Sequence, residues 1–378
     1  MSMASVVMDT FTSTCPQHLQ YLLNWTVLSA VVVHDNVADA YQVLSWGTGT
    51  KCLGPDKWHP GGSIIVDAHA ESIAKRAFQR FLWDLAIKKQ AHPLFTMTTN
   101  EKVQLQANCT LHIYVSEAPC GDAALYKIDE NLLDEIQVIR RTGSKAVSGD
   151  LEKEHQVGNK RRFKSCNSSL PVSQQSTSMS CTDKVALWHH VGLQGTLLSK
   201  FVHIIPWTSV VCSQDTRNVS HSEQHQVLSN ALLRHLQHDD SAYVTITKEQ
   251  FPYSRWKLKE QTKVPKKPCA LSLNWYWKAP HVEQLVGAFG LKVGTNRKKS
   301  PVAKCRSRLC RQEFFSLFHV ASKSKQEVFD TITYHKVKAQ QVEYQEHKDT
   351  VLALPSFLGW FKKPSETQSF TCDGKLLK

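Results

Sequence analysis

The 378-residue chain has no apolar run long enough to cross a membrane. The longest near its amino terminus, Trp25 to Val33, falls far short of the roughly 20 residues a span requires, and no basic start with a cleavage site precedes it. A soluble, intracellular protein of the cytoplasm, the nucleus or both is therefore expected. The cysteines lack the even count and regular spacing of a disulfide framework. There are eleven, which fits free thiols in a reducing compartment, some of them on a metal. No internal repeat is present. Acidic residues are scarce in the last third, where Arg255 to Lys378 carries 24 Lys and Arg against 10 Asp and Glu, so the whole net charge of +13 sits there. Such one-sidedness suits a polyanion, although a solvated basic face has the same composition.

Hydrophobic residues make up 41% of the chain, enough for one large α/β domain with a proper core. Thr26 to Val33 and Tyr41 to Trp46 are β-branched and apolar runs on either side of a polar turn at Asp35-Asn36, which predicts an opening hairpin. From Ala70 to Leu85 the residues Ala70, Ile73, Ala74, Ala77, Phe78, Phe81, Leu82 and Leu85 recur at helical spacing and mark one buried face. Leu111 to Val115 predicts a core strand, Cys120 the start of a helix after Pro119, and Ser180 to Leu198 a further helix. Gly143 to Ser178 turns polar and serine-rich, a long insertion loop with a basic cluster at Lys160, Arg161, Arg162 and Lys164. That cluster reads equally as a solvated loop or as a phosphate contact. Later come a strand at Leu271 to Trp277 and helices at Arg306 to Phe318 and Glu327 to Ala353. The expected plan is a leader at 1–24, a domain at 25–372 and a tail at 373–378.

The strongest local signal is His69-Ala70-Glu71, followed 49 residues after Glu71 by Cys120 in Pro119-Cys120-Gly121. A neutral imidazole and thiolates can hold Zn²⁺ and leave one position for water, whose pKa drops toward neutrality. Glu71 must reach that water without becoming a ligand. Residues i and i+2 diverge on a helix body, so the pair works only if the metal lies off the helix's N-terminal end, where the periodic face beginning at Ala70 puts it. Cys120 at a second helix start would gain from the dipole, which favours thiolate. Ala123 stands three residues after Cys120, so no Cys-x-x-Cys completes the set and the third ligand comes from elsewhere. Cys181, in Ser178-Met179-Ser180-Cys181-Thr182-Asp183-Lys184 at an apparent helix start, is the best candidate, against the commoner fate of a buried thiol.

With Gly49-Thr50-Lys51-Cys52, Asp67-Ala68-His69-Ala70-Glu71, Pro119-Cys120-Gly121-Asp122-Ala123, the Ser178–Lys184 segment and Gly192-Leu193-Gln194-Gly195, the chain resembles the eukaryotic RNA adenosine deaminases over about Asn24 to Phe370. The resemblance implies a cytidine-deaminase-like core, a mixed sheet with zinc-bearing helices, and a mostly helical C-terminal extension. It implies zinc on His69, Cys120 and Cys181, with Glu71 shuttling protons as hydroxide attacks C6 of adenine. Val27, Thr50 and Lys51 match positions around a flipped adenosine. Arg141-Thr142-Gly143-Ser144-Lys145 and His155-Gln156-Val157-Gly158 are similar to the family's tRNA branch, and with only a short stretch before the core no double-stranded-RNA-binding module is expected there. The implied partner is tRNA, next to the anticodon of alanine tRNA, and not DNA. An mRNA-type deaminase and a catalytically silent RNA-binding module of the same fold are the alternatives.

The family also implies a buried inositol hexakisphosphate, and a buried polyanion demands many cations around it. Matching positions are Lys75, Arg76, Lys184, Trp188, Tyr334, Lys338, Tyr344, Gln345, Lys348, Trp360 and Lys363, with Lys298 or Lys299 as a further contact. Trp188, Tyr344 and Trp360 read almost as well as core aromatics. Leu187 stands where the family has an arginine, and Lys75 replaces another, keeping the charge but losing the bidentate fork. The stretch before Trp25 does not look like the family's opening helix.

Overall fold

The computed structural model describes residues 1–21, 24–59, 61–89, 92–125, 144–146, 162–164, 171, 174–216, 219–233, 243–262, 267–294, 302–323 and 332–376. Its strands in chain order are β1 Leu28–Asp35, β2 Ala40–Thr48, β3 Thr50–Cys52, β4 Asp67–His69, β5 Phe95–Met97, β6 Val103–Leu105, β7 Cys109–Val115, β8 Ser144–Ala146, β9 Arg162–Lys164, β10 Ser209–Ser213, β11 Val244–Thr247, β12 Leu271–Tyr276, β13 Glu283–Val286 and β14 Leu291–Lys292. Eight of them form one mixed sheet in the order β11-β10-β7-β1-β2-β12-β13-β14. β10 runs parallel to β7 and β11, whereas β1 pairs antiparallel with β2 and β7. The expected hairpin is β1–β2, and the expected strands at Leu111 and Leu271 are β7 and β12.

β1 is apolar at successive positions because both of its faces are covered, and side chains alternate between faces along a strand. Val31 and Val33 join the core beneath the helix Ala70–Lys88. Leu28, Ala30 and Val32 join a second core on the opposite face. Every apolar residue read as the buried face of the Ala70–Lys88 helix is buried. Burying its large side chains contributes roughly 1.5–3 kcal/mol each, which fixes the helix's first turn against the sheet.

The second core is closed by a helix where none was expected. Met3–Thr14 is α-helical, with Ser2 as its cap, and it buries Met3, Ala4, Val7 and Phe11. Its signal in the sequence is the four-residue step from Met3 to Val7 to Phe11, diluted by serines and threonines. Elsewhere the expected helices are split or shifted. Gly192, at φ +73°, ends the helix Cys181–Val191 before a separate turn of helix at Gly195–Leu198. The stretch read as starting at Arg306 becomes helical only at Arg311–Lys323. Among its described residues the Glu327–Ala353 stretch holds two helices, Tyr334–Ala339 and Val342–Leu352. No helix among the described residues is long and apolar enough to cross a membrane.

Candidate functional site

His69 ends β4 and caps the helix Ala70–Lys88. Its backbone is held by pairing with Thr50 of β3 and by the Ala70 N–H, which donates to the Gly49 carbonyl at 3.0 Å. Cys181 is the first residue of the next site helix, whose cap Ser180 accepts from the Asp183 N–H at 3.2 Å. Cys120 does not open a helix. It lies in the loop after β7, just before the single 3-10 turn Asp122–Ala124. The site thus still joins two helix starts, but they belong to His69 and Cys181.

The three ligand atoms lie within 4.8 Å of one another. His69 Nδ1 is 3.6 Å from Cys120 Sγ and 3.6 Å from Cys181 Sγ. Zinc bonds of about 2.3 Å to sulfur and about 2.0–2.1 Å to nitrogen, at tetrahedral angles, require N···S separations of roughly 3.6 Å. The donor set therefore fits zinc with a fourth position left over. Burial and the shared proton divide the thiols. Hydrogen bonding with Cys181 holds Cys120 well below the usual thiol range, against the effect of burial and with help from Lys164 and His69.

Gly121 makes the approach possible. Its φ of +119° is open to glycine, and a Cβ there would fall 2.4 Å from Ser180 Oγ. Gly121→Ala should therefore cost about 1–3 kcal/mol of stability through backbone strain and push Cys120 away from Cys181. Denaturant unfolding and metal content of the variant would read the two effects separately.

Glu71 is buried, 4% exposed, and its Oε2 lies 3.0 Å from Cys181 Sγ. It lines a pocket of about 220 Å³ together with His69, Cys120, Val27 and Thr50. Thr50 Oγ1 is buried there and has no hydrogen-bond partner among the described residues. An unpaired buried hydroxyl costs stability unless something fills the place, so this atom marks where a polar ligand belongs. Lys51 does not share the pocket. It lies next to Thr50 in a strand, where neighbouring side chains point apart, and its side chain packs beside Gly287.

Lys164, read from the sequence as part of a solvent-facing or RNA-facing cluster, is turned inward and 2% exposed. Its Nζ is 2.8 Å from Cys181 Sγ and 2.9 Å from Asp67 Oδ1. Burial alone would raise the Asp67 carboxyl, but Lys164 and Lys184 hold it well below the usual carboxylate range. The β9 strand that carries Lys164 explains the inversion, since the Lys164 N–H donates to the Ser178 carbonyl at 2.6 Å and so draws it onto the segment that carries Cys181. Lys160 and Arg161 lie outside the described residues, as do most of the insertion and, of the two segments similar to the tRNA branch, all but Ser144 and Lys145, which fall in β8.

Asp67 and Lys184 also border a second, larger cavity of about 720 Å³ behind the site. Lys75, Arg76, Lys184, Trp188, Tyr334, Lys338, Tyr344, Gln345, Lys348, Trp360 and Lys363 all line it. Lys299 lies outside the described residues. Arg311 lines the cavity as well and was missed, being one basic residue among many at the head of an amphipathic helix. Leu187, 4% exposed, packs with Tyr344, Val351 and Leu352 in an apolar cluster at the cavity wall. Burial, then neighbouring cations, push Lys75 and Lys363 down to about 7 and Lys338 and Lys348 to about 8. Lys75 lies 4.9 Å over the Trp188 ring, so that aromatic serves cavity and core at once.

Comparison with known proteins adds the following. The family described as Adenosine-deaminase (editase) domain matches residues 45–364. The chain is 32% identical over 186 residues to tRNA-specific adenosine deaminase 1 of Drosophila melanogaster, covering 47% of this chain and 45% of that protein. It is 25% identical over 377 residues to the double-stranded RNA-specific adenosine deaminase of Mus musculus, covering 92% of this chain and 30% of that protein. To tRNA-specific adenosine deaminase 1 of Mus musculus it is 24% identical over 481 aligned positions, covering 92% and 94%. The chain therefore spans less than half the length of the first two relatives.

Proposed function

The chain belongs to the adenosine-deaminase (editase) domain family, and from that premise we propose that it hydrolyses adenosine to inosine in tRNA, next to the anticodon of alanine tRNA. The observation that carries the reading is the grouping of His69, Cys120 and Cys181 at a pocket lined by His69, Cys120 and Glu71 that has room for a single base. An enzyme that acts on a base must take it out of its stack.

His69, Cys120 and Cys181 would hold zinc, which when bound lowers the pKa of water toward neutrality. Glu71 takes a proton from the attacking water and returns one to the departing nitrogen. A C6–O bond forms, the C6–N bond breaks, and ammonia leaves. Thr50 Oγ1 supplies a hydrogen bond to the inserted nucleoside, and Val27 packs against it. The cation-lined cavity suits an inositol polyphosphate, whose charge would offset Lys75, Arg76, Lys184, Arg311, Lys338, Lys348 and Lys363.

The direct test is purified protein with alanine tRNA, read by inosine formation. Inosine at the position beside the anticodon is expected, and its absence with other RNAs deaminated would overturn the tRNA reading. Double-stranded RNA is the second substrate to try, because the likeness to the mouse double-stranded RNA-specific deaminase runs over 92% of this chain. Elemental analysis of the same preparation should give one zinc per chain, and active protein without zinc would rule the ligand assignment out.

A further inference from the structure

The mouth of the pocket carries a feature that the chemistry at Glu71 does not use. The Arg255 guanidinium lies between two indoles, 5.5 Å from the Trp25 ring centre and 4.8 Å from that of Trp256. All three residues are half-buried and line the same pocket as Glu71, His69 and Cys120. Lys259 Nζ sits 5.5 Å over the Trp256 ring, on an exposed side chain.

Segments far apart in sequence hold this wall in place. The Thr26 N–H donates to the Tyr253 carbonyl at 2.9 Å, and the Cys269 N–H to the Trp25 carbonyl at 2.8 Å. The Arg255 N–H donates to Glu117 Oε1 at 2.9 Å. The helix that begins there, Arg255–Thr262, reads Arg-Trp-Lys-Leu-Lys-Glu-Gln-Thr, with three cations against one acid around an indole.

A nucleoside whose base enters toward Glu71 must leave its sugar and both flanking phosphates at the mouth, because the RNA strand continues in both directions. Surfaces that hold single-stranded nucleic acid combine a cationic track with aromatic rings on which bases stack. We infer that Trp25, Arg255 and Trp256 form a docking platform for the nucleotide adjacent to the target adenosine. Trp256 stacks the neighbouring base, and Arg255, Lys257 and Lys259 take the phosphates of the same strand. Lys259 exchanges the indole face for a phosphate when the base arrives. The assignment rests on the deaminase reading of this pocket.

The test uses an RNA hairpin with one unpaired target adenosine and matched hairpins in which either neighbour is abasic. Trp256→Ala should lower kcat/KM on the intact hairpin by roughly tenfold, mainly through KM, with zinc content and melting temperature unchanged. Trp256→Phe should restore most of it. One of the abasic hairpins should cost the wild type the same factor and cost Trp256→Ala little more. If the variant and the abasic penalties multiply at both neighbours, or Trp256→Ala equals the wild type, the platform is overturned. If the wild type deaminates no RNA, the enzymatic reading fails instead. Direct binding of the same hairpins then decides the platform alone, weakened binding by Trp256→Ala supporting it and equal binding overturning it.

Discussion

Glu71→Gln should remove turnover by roughly 100-fold or more while leaving zinc content and melting temperature at wild-type values. The amide has the carboxylate's size and fits the same buried site, so packing around the helix Ala70–Lys88 is undisturbed. What it loses is the ability to accept a proton from water and pass it to nitrogen. Glu71 is placed for that role by facing the pocket from the first turn of the helix that His69 caps, close to the ligands without being one of them. A single-turnover assay with inosine detection measures the drop. Turnover within a few-fold of wild type would move the proton transfer to another group. A wild-type protein that binds RNA but makes no inosine would support the catalytically silent alternative.

Lys348→Met gives a change of opposite sign depending on whether the rear cavity holds a polyanion. With the anion present, the variant removes an attractive partner and should lower stability and soluble yield, as should Arg76→Ala. With the cavity empty it removes repulsion and should raise the melting temperature. Stripping the anion should cost about 4 kcal/mol if it normally sits a thousandfold above its Kd.

The pH dependence follows from the same charges. Lys75 and Lys363 are pushed down to about 7 and Lys338 and Lys348 to about 8, below the ordinary lysine value that the unfolded chain keeps. Between about pH 7 and pH 10 the unfolded chain therefore binds more protons than the anion-free fold, so anion-free stability rises with pH and falls as pH drops through that window. Solvent reaches these side chains through the cavity and softens the slope without changing its sign. Protein loaded with inositol hexakisphosphate should show a much flatter profile. Thermal melts at pH 7 and pH 9, with and without added ligand, distinguish the two, and a flat profile in the stripped protein would return the basic excess to RNA binding.

How much of this was legible in the chain depended on whether a residue's neighbours spoke for it. His69 and Glu71 were readable because the periodic apolar face that starts at Ala70 fixes where the helix begins. Cys181 was readable through a cap and flanking motif. Cys120 does group with His69 and Cys181 but was placed wrongly on a helix, because Pro119 and the small residues after it suit a tight loop as well as a first turn. Lys164 was misread since its neighbours are cations, and nothing local reveals that one of four faces Asp67 and Cys181. Arg311 reaches the cavity from the start of the helix Arg311–Lys323, and only the packing of the last third on the Ala70–Lys88 helix brings it near Lys75 and Arg76. Lys51 followed Thr50 in the motif, and strand alternation sent it to the other side.

Phe11 illustrates how far the pocket's foundations extend. Its ring meets Trp46 of the sheet at 4.9 Å, Phe251 at 5.2 Å and Tyr253 at 6.3 Å, and the chain from Phe251 leads straight into the pocket mouth at Ser254 and Trp256. The helix that carries Phe11 never touches the chemistry, yet Ser2 at its head hydrogen-bonds Glu249 just ahead of the same segment. In a random-mutagenesis screen, substitutions on this helix should surface as temperature-sensitive alleles or altered substrate choice rather than as loss of all activity, and they would map to the side of the sheet away from the Ala70–Lys88 helix.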